Sequence, residues 1–328
     1  MNVQGKARNP ASGIGFILVG MIAISINDML IKMLSGGYPL HQMVFTRSII
    51  GIVFSLMLVQ LEGGWGILRT KTPGLHLLRG IMIVIANLTF FAALAVLPLA
   101  EATAVFFVAP LMITLLSIPV LGEKIGPLRI SAVAVGFIGV VIMTRPWQTG
   151  DARTVSFVIY LLPVVAAFTY AVNQVLTRKL GATTKASALA VYVQVIMIAV
   201  SIGFWAVAGD GRFAEGSESA SIIFLLRAWV MPEGWDLYLF AGLGLNSAIV
   251  GYALAQAYRL TDAATVAPFE YVGLPLAIFW GWAIWGEWPS GMTLIGIGLI
   301  LGSGLFVFLR ERQKQQPLLG RKRVHRRY

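Results

Sequence analysis

Cysteine is absent from the 328 residues, which removes disulfides, thiolate nucleophiles and cysteine metal ligands from the chemistry open to the chain. Charge is scarce, at 12% of residues, and acids number 14. The three histidines, at 41, 76 and 325, are far apart and outside any HExxH pattern, and paired acidic motifs are missing. A histidine metal centre or a membrane-embedded enzyme such as a lipid-modifying transferase therefore has no basis in the sequence. No GxxxxGK[ST] phosphate loop occurs, so an ATP site of that type is excluded. The stretch GLGLNSAIVG (242–251) only loosely resembles a dinucleotide loop, lies inside an apolar run with no adjoining strand, and is set aside. No cofactor and no metal are expected.

What fills the chain is hydrocarbon. Apolar residues make up 58% and the mean hydropathy is +0.81, more than a soluble core requires. Ten apolar runs are long enough for a hydrocarbon layer of roughly 30 Å: 13–34, 41–60, 75–97, 101–121, 128–145, 156–177, 187–208, 236–258, 263–285 and 291–310. They lack the alternation of barrel strands, and lipid leaves no partner for an open backbone, so each is expected to be a helix. The first run follows a polar start and lacks a small-residue cleavage site, which predicts a retained helix.

A net charge of +11 raises nucleic acid as a partner, but the basic residues sort by side. With the N-terminus inside, one face receives 19 Lys and Arg and the other five, with Arg47 left within a span. This asymmetry predicts both termini in the cytoplasm. The tail RKRVHRRY (321–328) reads as an anchor on anionic lipids, with no nucleic-acid role. Trp65, Trp147, Trp235 and Trp288 fall near span ends, as interfacial anchors would.

The chain also repeats itself. Asn27-Asp28-Met29-Leu30-Ile31-Lys32-Met33-Leu34 aligns without a gap to Asn173-Gln174-Val175-Leu176-Thr177-Arg178-Lys179-Leu180. Ala102-Thr103 and Gly122-Glu123 recur as Ala264-Thr265 and Gly286-Glu287. Five spans followed by five more place the second half in the membrane upside down relative to the first, an arrangement typical of secondary transporters. The expected units are a tail at 1–12, a first five-helix repeat at 13–145, a second at 146–310, and a basic tail at 311–328. The fold expectation is all-α integral membrane, ten helices in two inverted repeats.

The stretches SINDMLIKML (25–34), FFAALAVLPLAEATAVFFVAPLMITLLSIPVLGEKI (90–125) and FEYVGLPLAIFWGWAIWGEWP (269–289) resemble the drug/metabolite transporter superfamily, EamA type, across residues 13–310. The resemblance implies two copies of a five-helix unit in a bacterial inner membrane. It is strongest to members proposed to carry S-adenosylmethionine, riboflavin or amino-acid-like metabolites.

Polar residues inside the spans are the candidate sites, because an intramembrane charge costs at least ~2.5–3.5 kcal/mol unless it faces protein or water. Helical rise puts Asp28 roughly 8 Å below the outer edge of the core, with Arg47 at a similar depth on the next span. The two are expected to face inward as an ion pair, either locking the first hairpin or serving as an outer gate. Lys32, one turn on, is a second partner for Asp28. Glu270 lies roughly 11 Å from the cytoplasmic face, with Tyr271 beside it and Gln194 as a hydrogen-bond partner. It is a candidate proton carrier or counter-ion for a cationic substrate, or else a tie between helices. Asn87 and Asn246, near the midplane of the two halves, are expected to line a cavity; Asn27 and Asn173 suit gates at opposite faces. Pro110 and Pro275 predict helix kinks. Phe106, Phe107, Tyr170, Tyr271 and Trp280 are candidate aromatic walls. Gly298 and Gly302 make a small-xxx-small face fit for helix packing or a homodimer. SIIFLLRAWV (221–230) is too short to span and is expected to lie on the outer surface.

These features predict a secondary transporter moving a small polar metabolite by alternating access, proton-coupled or exchanging. A membrane-embedded enzyme would call for clustered acids or histidines, and a passive channel for rings of charge or a filter sequence; the sequence has neither.

Overall fold

The structure, a computed structural model, describes residues 10–122, 127–145, 147, 155–261 and 266–315. Its helices are α1 (Pro10–Leu34), α2 (Leu40–Glu62), α3 (Pro73–Leu94), α4 (Leu99–Phe106), α5 (Ala109–Leu121), α6 (Pro127–Thr144), α7 (Phe157–Gly181), α8 (Ala186–Ala208), α9 (Ala220–Leu226), α10 (Asp236–Leu260), α11 (Gly273–Trp285) and α12 (Gly291–Gln315). Short 3₁₀ turns occupy Trp65–Leu68 and Ala267–Val272. Among the described residues there is no strand. Among the same residues seven stretches are long and apolar enough to cross a membrane, α4 and α5 counting as one, and two shorter apolar helices cover Ile130–Thr144 and Gly291–Phe306. Glu123, Ala264, Thr265, the first nine residues and the basic tail from 316 lie outside the described residues.

Proline chemistry sets the interruptions. Pro110 has no N–H for the carbonyl of Phe106, four residues back, and its ring crowds that oxygen. The helix accordingly ends at Phe106 and restarts at Ala109, with Phe107 N–H shared between the carbonyls of Thr103 and Ala104. Pro275 stands in the same relation to Tyr271, and the 3₁₀ stretch gives way to α11 at Gly273. Both breaks therefore fall about a turn before the proline. Gly122 and Gly286 then close α5 and α11 in left-handed geometry, with φ of 71° and 67°, a conformation a side chain would strain.

In the packed bundle α1 lies on α10, α3 on α7, α2 on α8 and α6 on α12. The α6–α12 crossing is close because both partners are glycine: a Cβ on Gly139 would sit 2.8 Å from the carbonyl oxygen of Gly296, and one on Gly296 2.7 Å from that of Gly139. Gly298 and Gly302 are exposed on the outer side of α12, with open space at their Cβ positions. The segment after α8 is not loosely draped. Helix α9 is fixed by the buried Phe224 and by the Ser221 hydroxyl, which donates to the carbonyl of Ala92 at 2.6 Å. Two large apolar clusters form most of the core, and Ile83 and Phe106 pack against both. Those two side chains also line the interior cavity.

Candidate functional site

A cavity of about 200 Å³ opens between α1, α2, α3, α4, α7, α8, α10, α11 and the 3₁₀ turn before α11. Four phenylalanines, 90, 91, 106 and 107, form apolar wall, and Asp28, Arg47, Arg79 and Glu270 bring charge to it.

Asp28 and Arg47 both line this space, but they are not a direct ion pair. Arg47 donates from Nη1 to Oδ1 of Asn27 at 3.0 Å and from Nη2 to Oδ1 of Asn87. Asn27 in turn donates to Asp28 Oδ1 at 3.1 Å. The guanidinium fork matches two amide oxygens on neighbouring helices, so the carboxylate is reached through an amide. Lys32 does not turn back to Asp28 either: its Nζ lies 2.7 Å from Glu287 Oε2 and 4.7 Å from the centre of the Trp285 ring. Being less buried than Arg47, it reaches outward along its stem to an acid at the helix end.

Glu270 is 1% exposed, and its partners are two phenols rather than Gln194. Tyr170 donates to Oε1 at 3.1 Å and Tyr258 donates to the same oxygen at 2.5 Å. Gln174 donates to the Tyr170 oxygen at 2.6 Å. The phenol O–H is a donor a carboxylate accepts well, and α7 carries Tyr170 to it from across the cavity.

Asn246 is a helix tie: its amide donates to the carbonyl of Ala23, joining α10 to α1, and it does not line the cavity. Tyr271 also points away. Its ring packs 5.7 Å from Phe107 and fills the space left by Gly304 on α12. Trp280 stands outside the lining as well, donating to Ser25 at 3.4 Å. Asn27, Asn173, Gln194 and Asn87 line the same cavity, so the two asparagines expected at opposite gates share one chamber. Pro110 and Pro275 shape the broken helices but do not line the chamber.

Sequence reasoning missed Arg79, which was counted among the basic residues of one membrane face although it falls inside the run 75–97. It sits within α3, 5% exposed, donating from Nε to Thr177 at 2.6 Å and from Nη1 to the carbonyl of Leu189 at 2.8 Å. The available signal was Pro73, which suits a first helical turn and so puts Arg79 nearly two turns inside. Tyr258 was missed too, since nothing in its own sequence neighbourhood points to Glu270.

Three buried cavity atoms have no hydrogen-bond partner: Thr103 Oγ1, Asn173 Oδ1 and Gln194 Oε1. Buried polar atoms are rarely left unpaired, so a wall carrying three of them suits a polar occupant. Among the described residues no group of three His, Asp or Glu could hold a metal.

Comparison with known proteins agrees with this architecture. The EamA-like transporter family profile matches residues 11–145. A riboflavin transporter of Vibrio cholerae is 30% identical over 316 residues, covering 96% of each chain. A riboflavin transporter of Rhizobium johnstonii is 28% identical, covering 96% of this chain and 98% of that one. An S-adenosylmethionine uptake transporter of Rickettsia prowazekii is 26% identical, covering 92% and 94%. One crystal structure shares the fold with a TM-score of 0.66 at 20% identity, covering 93% of this chain and 99% of that one. The chain belongs to the EamA-like transporter family, as a multi-pass membrane transporter rather than an enzyme.

Proposed function

We propose that the chain is a secondary transporter moving a small polar organic metabolite across the bacterial inner membrane by alternating access, through ten spans arranged as two inverted five-helix halves. The observation that carries this reading is a charged, largely buried cavity walled by helices from both halves of the chain. A midplane site shared by two pseudo-symmetric bundles is what rocking requires.

The packing pattern supports the inverted halves. Exchanging α1 with α7, α2 with α8, α3 with α10, and α6 with α12 turns the α1–α10 contact into α7–α3 and the α2–α10 contact into α8–α3; all four are present. The α2–α8 and α6–α12 contacts map onto themselves, as contacts on a two-fold axis do. The broken pair α4 and α5 packs on α7, and the 3₁₀ turn with α11 packs on α1 in the same way.

In this reading both termini are cytoplasmic, the basic tail rests on anionic lipid, and the open face at Gly298 and Gly302 is where a second copy would dock. The Asp28 and Glu270 networks are the polar ends of the chamber, Glu270 being the proton carrier if transport is proton-coupled. The relatives named for riboflavin and S-adenosylmethionine make those two solutes the first to try. The test is counterflow in proteoliposomes: preloaded solute should drive uptake of the labelled solute. Failure with every solute in a panel of riboflavin, S-adenosylmethionine, amino acids and polyamines would count against it.

A further inference from the structure

One face of α7 is polar along the cavity wall and just beyond it. Tyr170, Asn173, Gln174 and Thr177 follow the i, i+3, i+4, i+7 spacing of a single helical stripe, and each is at least nine-tenths buried. The stripe is continuously bonded. Gln174 donates to Tyr170, Asn173 donates to Gln174 at 3.4 Å, and the Thr177 hydroxyl donates to the carbonyl of Asn173 at 2.7 Å.

Its two ends carry ionisable groups of opposite sign that no described residue neutralises. At one end Arg79 holds on to Thr177 and the Leu189 carbonyl, both neutral, and among the described residues no acid lies within ion-pair distance. Its Nη2 makes no bond to them. At the other end Glu270 takes two phenol hydroxyls on Oε1, and among the described residues no base lies within ion-pair distance. The other cavity charges differ: Arg47 and Asp28 are joined through Asn27. Removing an ion from water without a counter-ion is costly, and both groups line the chamber, as do the unpartnered Asn173 and Gln194 oxygens.

We propose that Arg79 and Glu270 are the specificity-determining ends of the substrate site, and that the substrate is an extended amphoteric molecule. Its anionic group, a carboxylate or similar oxyanion, meets Arg79; its cationic or N–H donor group meets Glu270; and donor groups along its middle meet Asn173 and Gln194. From Tyr170 to Thr177 is seven residues, about 10 Å along the helix. A compact α-amino acid cannot touch both ends at once. This inference rests on the transporter reading above and adds the substrate class to it.

The test uses purified full-length protein and a ladder of ω-amino acids, β-alanine, γ-aminobutyrate, ε-aminocaproate and ω-aminocaprylate, with thermal stabilisation as the binding readout. Binding should strengthen up the ladder. The methyl ester and the N-acetyl derivative of the best member should each bind about tenfold or more weakly, since each loses a charge-assisted contact. Arg79→Gln should abolish the preference of acid over ester while keeping that of amine over acetamide; Glu270→Gln should do the reverse; Arg79→Lys should retain the acid preference. A purely structural Arg79 would change the melting temperature without altering these ratios. A flat or falling ladder, or an acid preference that survives in Arg79→Gln, overturns the assignment. Wild-type counterflow without these preferences would leave the transporter reading standing and remove the amphoteric one. Binding preferences without transport of any solute would do the opposite.

Discussion

Lys32 Nζ lies 2.7 Å from Glu287 Oε2, although 255 residues separate them, and the same oxygen accepts the backbone N–H of Leu99 at 3.2 Å. One carboxylate thus clasps the end of α1, the start of α4 and the turn after α11. We expect this clasp to hold one mouth of the cavity shut.

If so, Glu287→Gln should speed maleimide labelling of a cysteine placed at Ser25 in the cavity, several-fold given that a part-exposed pair is worth about 1 kcal/mol. The exchange Lys32→Glu with Glu287→Lys should restore slow labelling. The cysteine-free native sequence makes the measurement clean. Equal rates in all three proteins would show that the clasp is not part of a closure.

Arg47 is the hub of the Asn27, Asn87 and Asp28 network. Arg47→Ala leaves the Asp28 charge without its cation and should lower stability by about 3–5 kcal/mol. Adding Asp28→Asn to it should cost less than the sum of the two single changes, with a coupling of about 0.5–3 kcal/mol. Thermal unfolding of the four proteins in one detergent measures this. Strict additivity would mean that Asn27 does not relay the interaction.

At the α6–α12 crossing, Gly296→Val should cost about 1–3 kcal/mol, because its Cβ would meet Met143 at 2.1 Å and the Gly139 carbonyl at 2.7 Å. Gly298→Val, facing open space, should stay within about 0.5 kcal/mol in the monomer. If that face joins two copies, the same Gly298 change should also shift the protein to monomer in size-exclusion light scattering.

Glu270→Gln keeps an oxygen for Tyr170 and Tyr258 while deleting the charge. For a proton-coupled carrier, uptake should lose its response to an imposed pH gradient, while counterflow persists at solute concentrations raised to offset the weaker binding. A wild type indifferent to the gradient would instead indicate exchange.

Much of the fold was legible in the sequence because spans announce themselves by length and hydropathy. Helix α2, expected at 41–60, runs Leu40–Glu62, and α8, expected at 187–208, runs Ala186–Ala208. The prolines signalled the broken helices, yet the breaks precede them, since the disturbed carbonyl lies four residues back. Direction around each helix was much less legible. Asp28, Glu270 and Asn87 line the cavity, whereas Asn246 and Tyr271, at comparable depth, do not. Helices apolar on every side carry no periodic signal to orient a lone polar residue. Partner choice was least legible of all. Arg47 took two amides and Lys32 took Glu287 because packing brought those groups within reach, and sequence separation says nothing about that.

If the solute passes through the chamber between the two halves, chemistry inside that chamber must stop transport. Thr103→Cys places a thiol at a cavity position whose native hydroxyl has no hydrogen-bond partner. Counterflow of the identified substrate should be normal before modification, fall to background after reaction with a bulky maleimide, and be protected by excess substrate. Counterflow that continues unchanged on a fully modified protein would show that the solute takes another path.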